Sequence, residues 1–343
     1  MKALVLKDYL KLRYEDAPEP KYGASEVLVA VKACGICGSD VHGMDGSTGR
    51  RRPPIIMGHE AAGVVAEVGS AVRGWKSGDR VTFDSTIYCG VCEFCRRGEV
   101  NLCNQRRVLG VSCEDYRQHG AFAEYVAVPD YILHRLPADL PFEHAALIEP
   151  FAIAFHALRR SPVTLNETAV VVGCGMIGLA VIQAARLAGF GHIVAVDVAP
   201  EKLAMAAQLG ATDTVDSRSA PVEKILELTG GLGADRAFEA VGIAATIELA
   251  IRSVRKGGAV TLIGNVTPRV EVPWQTVVTR ELTLHGTCAS AGEYPACLEM
   301  MARGAIDPSP LLSATAPLAN GASWFDRLYR KEAGLLKVVL KPS

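Results

Sequence analysis

Gly173-Cys174-Gly175-Met176-Ile177-Gly178 follows directly on the apolar run Val170–Val172 and leads into Ile177–Ala188, whose apolar residues recur at helical spacing. The first glycine permits a tight strand-to-helix turn, and the second lets backbone approach a pyrophosphate. The third lets helix pack closely on strand, and the helix N-terminus faces the phosphate charge. Asp197 closes the next apolar run, His192–Asp197, 19 residues after Gly178. A carboxylate at that point accepts from the adenosine ribose hydroxyls. The pattern predicts a dinucleotide site built on Gly173, Gly175, Met176, Ile177, Gly178 and Asp197. Asp197 would repel a 2′-phosphate, and Val198 and Ala199 offer one no basic partner, so NAD is expected rather than NADP. Lys202, one helical turn further on, either lies over the adenosine or is a solvated helix charge.

Strand-like and helical runs continue to alternate after this motif. Pro200–Leu209 reads as a helix opened by proline, and Thr212–Asp216, Asp235–Ala240, Ala259–Gly264 and Leu282–Gly286 read as strands. Such alternation predicts an α/β fold with a doubly wound parallel sheet. The uncharged window 168–185 resembles a membrane span in length, but its glycines and Gln183 make it strand, turn and helix, so no membrane partner is expected. Residues 1–150 differ: they are rich in Gly and Pro, with short Val-rich runs such as Glu26–Lys32, Ala61–Val68 and Arg80–Phe83, and read as an irregular β domain. The expected division is 1–150 for this domain, 151–290 for the dinucleotide domain and 291–343 for a C-terminal segment returning to the first. In that segment 324–331 reads as helical and Leu335–Leu340 as a strand. Trp75, Trp274 and Trp324 are expected in packing.

Lys plus Arg number 36 and Asp plus Glu 37, a net charge of −1, which excludes nucleic acid as the main partner because phosphate binding needs a basic excess. No signal peptide is read at the N-terminus, so the ten cysteines point to a reducing, cytoplasmic setting.

Four of those cysteines, Cys89, Cys92, Cys95 and Cys103, fall within 15 residues. A short loop can wrap four thiolates around tetrahedral Zn²⁺, and a complete set leaves no position open, so this zinc would be structural. Upstream, Cys37-Gly-Ser39-Asp-Val-His42 precedes Gly58-His59-Glu60-x2-Gly63-x5-Gly69. Cys37, His59 and a carboxylate suit a catalytic zinc with an open position, the candidate carboxylates being Glu60 and Glu149, the latter before Pro150.

These motifs, with Gly120-Ala-Phe-Ala-Glu-Tyr125, occur in an order that resembles the zinc-dependent medium-chain dehydrogenases over essentially the whole chain. The polyol branch, with its sorbitol- and galactitol-type dehydrogenases, is most similar, and L-threonine dehydrogenase is a near relative. The resemblance implies a GroES-like irregular β-barrel catalytic domain, a Rossmann domain, a cleft between them and a homo-oligomer, dimer or tetramer. It implies Cys37, His59 and Glu60 as catalytic zinc ligands, and Glu149 as a direct or water-mediated ligand or a proton-relay group. Ser39 and His42 match the relay that carries the substrate proton to solvent. Ile177, Asp197, Lys202, Leu262, Ile263, Gly264, Thr287 and Cys288 match cofactor-contacting positions. Two zinc ions per chain and NAD follow as cofactors, and reversible oxidation of a polyol's secondary alcohol to a ketose as the reaction. The alternatives are an L-threonine-type 3-hydroxy amino acid dehydrogenase, a polyol-phosphate dehydrogenase and, in another class, a non-catalytic dinucleotide-binding protein. The intact set of polar site residues argues against the last.

This chain departs from the branch at Gly43, where sorbitol dehydrogenases carry an aromatic, and at Ala289-Ser290-Ala291-Gly292, where they carry an Arg-aromatic pair. The small residues predict a pocket left open at both places. Arg50-Arg51-Arg52 reads as solvated loop charge or as recognition of an anionic substrate.

Overall fold

In the computed structural model, which describes residues 1–342, the chain forms two units. One comprises Met1–Glu149 with the residues from Tyr294 onward, and the other Pro150–Glu293.

The second unit is built on six parallel strands. Their order across the sheet is Asp213–Asp216, His192–Asp197, Thr168–Val172, Ala234–Glu239, Val254–Leu262, Thr283–Gly286. The succession reverses direction between Thr168–Val172 and Ala234–Glu239. In such sheets the crevice beyond the carboxyl ends at this switch point is where ligands bind. Val170, Val172, Val194, Val196, Ala237 and Val260 share one buried core. Strands covered on both faces need no polar side, which is why these segments read as unbroken apolar runs. Helix Met176–Ala188 starts after Gly175 and stops at Gly189, whose φ of +93° ends it in the left-handed region. Pro200 opens helix Pro200–Gln208, at a position where its missing N–H is no loss. The strand expected at Ala259–Gly264 departs furthest from expectation, at both ends. Val254–Leu262 starts five residues before Ala259, running through a register irregularity opposite Ala234 and Arg236. It also stops two residues before Gly264, because the Ile263 and Gly264 N–H groups donate to the Glu239 carbonyl at 2.8 and 3.0 Å.

The first unit holds a seven-stranded sheet. Its path runs Leu133–Arg135, Arg80–Phe83, Glu60–Val68, Glu26–Gly35, Lys337–Lys341, Leu312–Pro317, and Tyr125–Pro129 also pairs with Glu26–Gly35. The registers fix the site. Gly35 lies opposite both Glu60 and Val339, so the end of one strand, the start of a second and a strand near the C-terminus meet at one point. Val27, Val29, Val31, Val65, Val81 and Leu340 are buried in the core beneath. Trp75 and Trp324 pack against that core, whereas Trp274, expected in packing, is 66% exposed at the start of helix Trp274–Thr279. Among the described residues no helix is long and apolar enough to cross a membrane.

Candidate metal and dinucleotide sites

Cys37 ends the loop after Glu26–Gly35 and caps the short helix Gly38–Gly43, its sulfur accepting from the Ser39 N–H at 3.5 Å. His59 immediately precedes the strand that Glu60 begins. The pairing of Gly35 with Glu60 therefore carries all three side chains to one place, where one ligand atom from each lies within 4.8 Å of the others. The Glu60 carboxylate nests over Gly35, where a Cβ would come within 2.4 Å of Oε2. Glu149, in the first turn of helix Ile148–Arg160, is buried but stands outside this three-residue cluster.

Lys337, on the late strand, donates to both Glu60 oxygens at 2.8 and 2.6 Å and to the Ile36 carbonyl at 3.2 Å. Both charged groups are almost fully buried, at 3% and 1% exposure. Asp40 is also fully buried. Its Oδ1 accepts from Arg51 Nε at 3.1 Å and Nη2 at 2.8 Å, while Oδ2 faces His59 Nδ1 at 3.4 Å. Against the cost of that burial, the facing His59 and Arg51 hold the Asp40 carboxyl well below the ordinary carboxylate range. Burial, and next the nearby Glu60 charge, push Glu149 up to about 7. Burial alone would lower the pKa of His59, yet Asp40 and Cys37 raise it well above the ordinary value. A cysteine sulfur, an imidazole and a carboxylate converging there are a donor set suited to zinc, three ligands of the usual four.

Ser39 and His42 are exposed on the Gly38–Gly43 helix, three residues apart and so on neighbouring turns of one face. Gly43 corrects an expectation. The space above it is not open, because a Cβ there would lie 2.5 Å from Arg51 Cγ. Of the three arginines, Arg51 is the buried one, and Arg52 pairs with Glu114 at 3.0 Å.

Of the Cys89–Cys103 loop only Asn101 and Cys103 are buried. Its helix, Glu93–Arg96, buries no residue, and Val91 is 66% exposed. Apolar packing does not hold such a loop in place. The four sulfurs lie within 4.8 Å of one another, with Cys89–Cys95 at 4.0 Å and Cys92–Cys95 at 3.5 Å. Tetrahedral ligands about 2.3 Å from a zinc ion are about 3.8 Å apart, so these four could hold one. Backbone N–H groups of Cys89, Cys92 and Gln105 donate to cluster sulfurs at 3.3–3.4 Å, which favours thiolates.

In the second unit, the glycine turn obeys the steric logic of its sequence. Gly173 has φ +94°, and a Cβ there would come 2.4 Å from Val241 Cγ2. A Cβ on Gly178 would come 1.7 Å from the Gly173 carbonyl oxygen, whereas one on Gly175 would meet nothing within 4 Å. The turn is closed on the protein side and open at its middle glycine, a cradle fit for a pyrophosphate. Met176 and Ile177 open the helix. Asp197 Oδ2 accepts from the Cys174 N–H at 2.7 Å, and Oδ1 from Val198 and Ala199 at 2.8 and 3.0 Å. Asp197 and the glycine turn are thereby one bonded unit. Lys202 is half-buried in the first turn of Pro200–Gln208. Leu262 ends its strand and Ile263 and Gly264 leave the sheet, and the Thr287 N–H donates to the Leu262 carbonyl at 3.2 Å, with exposed Cys288 following. Glu239, which the sequence reading passed over, organises this end. Its Oε1 accepts from the Val241 and Gly242 N–H groups at 2.9 and 2.8 Å. Asp40 and Lys337 were likewise missed, and Arg51 was read only as loop charge or as an anion contact. Only Asp40 carried a signal, lying inside the Cys37–His42 motif.

Residues 23–138 match the family described as "Alcohol dehydrogenase GroES-like domain", and residues 177–303 match "Zinc-binding dehydrogenase". Sorbitol dehydrogenase of Bacillus subtilis (strain 168) is 34% identical over 349 residues, spanning 100% of this chain and 98% of that protein. L-idonate 5-dehydrogenase of Vitis vinifera is 35% identical over 303 residues, spanning 86% of this chain and 81% of that protein. A solved zinc-binding dehydrogenase from Sinorhizobium meliloti 1021, bound to NADP, matches with a TM-score of 0.92 at 33% identity over 99% of each chain.

Proposed function

Since the chain belongs to the zinc-binding dehydrogenase family and is an oxidoreductase, we propose that it catalyses the reversible NAD-linked oxidation of a secondary hydroxyl of a polyol to a ketone. The observation that carries this is the convergence of Cys37, His59 and Glu60. A shell with a carboxylate beside one thiolate is harder and more oxygen-loving than an all-sulfur shell, which suits a substrate with adjacent hydroxyls. Relatives named as sorbitol and L-idonate dehydrogenases support the same substrate class.

In this reading Cys37, His59 and Glu60 hold a catalytic zinc, with Glu149 nearby as a further acceptor, and Cys89, Cys92, Cys95 and Cys103 hold a structural one. With Nδ1 of His59 turned to Asp40, Nε2 is the ligand nitrogen. The bound groups supply Lewis acidity at the substrate oxygen and a hydride acceptor. Ser39 accepts the substrate's hydroxyl proton, and His42, exposed on the same helix face, hands it to solvent. Asp197 and the glycine turn bind the adenosine half of the cofactor, with Lys202 beside them. Leu262–Gly264 and Thr287–Cys288 bound the nicotinamide end. Asp197, already bonded to three amides, offers a 2′-phosphate only negative charge, which supports NAD over NADP. A homo-oligomer is supported by the edge strand Thr283–Gly286 that ends the six-stranded sheet, and a cytoplasmic setting by ten cysteines with no disulfide.

The test is metal analysis, with about two zinc ions per chain expected, and an NADH absorbance screen of C4 to C6 polyols, their phosphates, L-threonine and simple primary alcohols. Turnover of vicinal diols with NAD⁺ is expected. Activity on primary alcohols without activity on diols would overturn the carboxylate reasoning.

A further inference from the structure

An arginine only 3% exposed, inside a run that reads as loop charge, needs a reason to be there. Its guanidinium makes four hydrogen bonds. Nε and Nη2 reach Asp40 Oδ1, Nη2 also reaches Ser39 Oγ at 3.3 Å, and Nη1 reaches the Arg50 carbonyl at 3.0 Å. Asp40 divides its oxygens: Oδ1 takes the arginine, while Oδ2 faces His59 Nδ1 at 3.4 Å as a charge pair, and neither Oδ2 nor Nδ1 makes a hydrogen bond.

Two further features hold Arg51 in this position. Its backbone bridges to Ser112, with Arg52 N donating to the Ser112 carbonyl at 3.1 Å and Ser112 N to the Arg50 carbonyl at 3.2 Å. The glycine at position 43 leaves the space that the arginine stem occupies. The chain gives up a side chain beside the site to admit this one.

Resting on the reading of Cys37, His59 and Glu60 as a zinc site, we propose that Arg51 is a positioning residue for the metal and the proton relay together. Through Asp40 it fixes the ring of His59. Through Ser39 Oγ it occupies one acceptor lone pair of the hydroxyl, which leaves the Ser39 O–H and the other lone pair for the proton transfer. An arginine fork serves both groups at once, and a lysine ammonium, a point charge, does not reproduce the fork.

The test uses the zinc-loaded enzyme. Chelator-driven zinc release, followed with a chromophoric chelator, should show two ions with separate rates in the wild type. Outer partners of metal ligands are typically worth 10–100-fold in metal affinity. R51Q should therefore release one ion about 10–100-fold more readily and the cysteine-bound ion at the wild-type rate. R51K keeps the charge on Asp40 and loses the Ser39 contact, so it should restore zinc retention while kcat stays low at a nearly unchanged KM. G43A retains the arginine but displaces its stem, and should speed the same release phase. This variant carries the test if R51Q does not fold. Wild-type release rates in both R51Q and G43A, or in G43A alone where R51Q is unfolded, would overturn the proposal. Wild-type protein that binds a single zinc, at the four cysteines, would instead overturn the underlying reading of the Cys37 site.

Discussion

Lys337→Met isolates the electrostatic partner of the candidate zinc ligand. The substitution keeps an unbranched chain of similar length and removes one charge. In the wild type the ammonium sits between both Glu60 oxygens, with 3% and 1% of the two side chains exposed. Breaking a buried pair by removing one partner strands the other charge, at about 3–5 kcal/mol. For a unit of roughly 200 residues each kcal/mol moves Tm by about 2–4 °C, so the loss should be about 6–20 °C. This full loss is expected only in protein stripped of metal. With zinc bound, a cation remains beside Glu60, and the loss should shrink to less than half. The assay is a pair of thermal scans at one scan rate, with excess zinc and with chelator, on wild type and variant. An equal Tm loss in both conditions would refute the claim that metal and lysine share this carboxylate. No loss in chelator would refute the energetic reading of the pair.

Other outcomes follow from the same structure. Cys95→Ser should lower the zinc content by about one ion and reduce Tm, because the loop that it serves has no buried helix face to hold it; metal analysis and a thermal scan check both. Asp197→Ala should weaken NAD⁺ binding and narrow the preference against NADP⁺, since it removes the negative charge and frees three amide N–H groups; KM values for both cofactors check it. His134 stacks on buried Tyr294 at 4.9 Å, and burial holds its pKa down at about 4. The unfolded chain binds a proton at about 6.5 and the native one does not, so stability should fall as pH drops from about 6.5 toward 4, by up to about 3 kcal/mol from this group. His134→Phe should flatten that part of the pH dependence in urea melts.

The second unit's strands were legible because their glycines and buried runs answer to local constraints. A helix that starts against Gly173 tolerates nothing larger than glycine at 178, and that rule is visible in six letters. The cysteine loop was legible for a similar reason, since spacing alone decides whether four sulfurs can meet. Lys337 was not, because it is 277 residues from Glu60 along the chain and only the sheet order brings it there. Arg51 was misleading in the opposite way. Flanked by two arginines and followed by two prolines, it has the local character of a solvated loop, and its burial depends on Asp40 and on the empty place at Gly43. The start of Val254–Leu262 lay outside the expected Ala259–Gly264, because the strand runs back through Gly257-Gly258.

The position of Lys337–Lys341 within its sheet, flanked by Glu26–Gly35 and Leu312–Pro317, has a consequence for synthesis. Domains tend to fold as units while the chain emerges from the ribosome. The second unit, Pro150–Glu293, and the four cysteines have all been made before Lys337 is. The first unit's sheet lacks an interior strand until Lys337–Lys341 has been made, and Glu60 lacks its lysine until then. On the proposed reading, the metal site of Cys37, His59 and Glu60 reaches its final form only after Lys337 has been made, later than the four cysteines can meet. A nascent chain stalled shortly before Lys337 would carry a finished dinucleotide fold and an unfinished centre of catalysis.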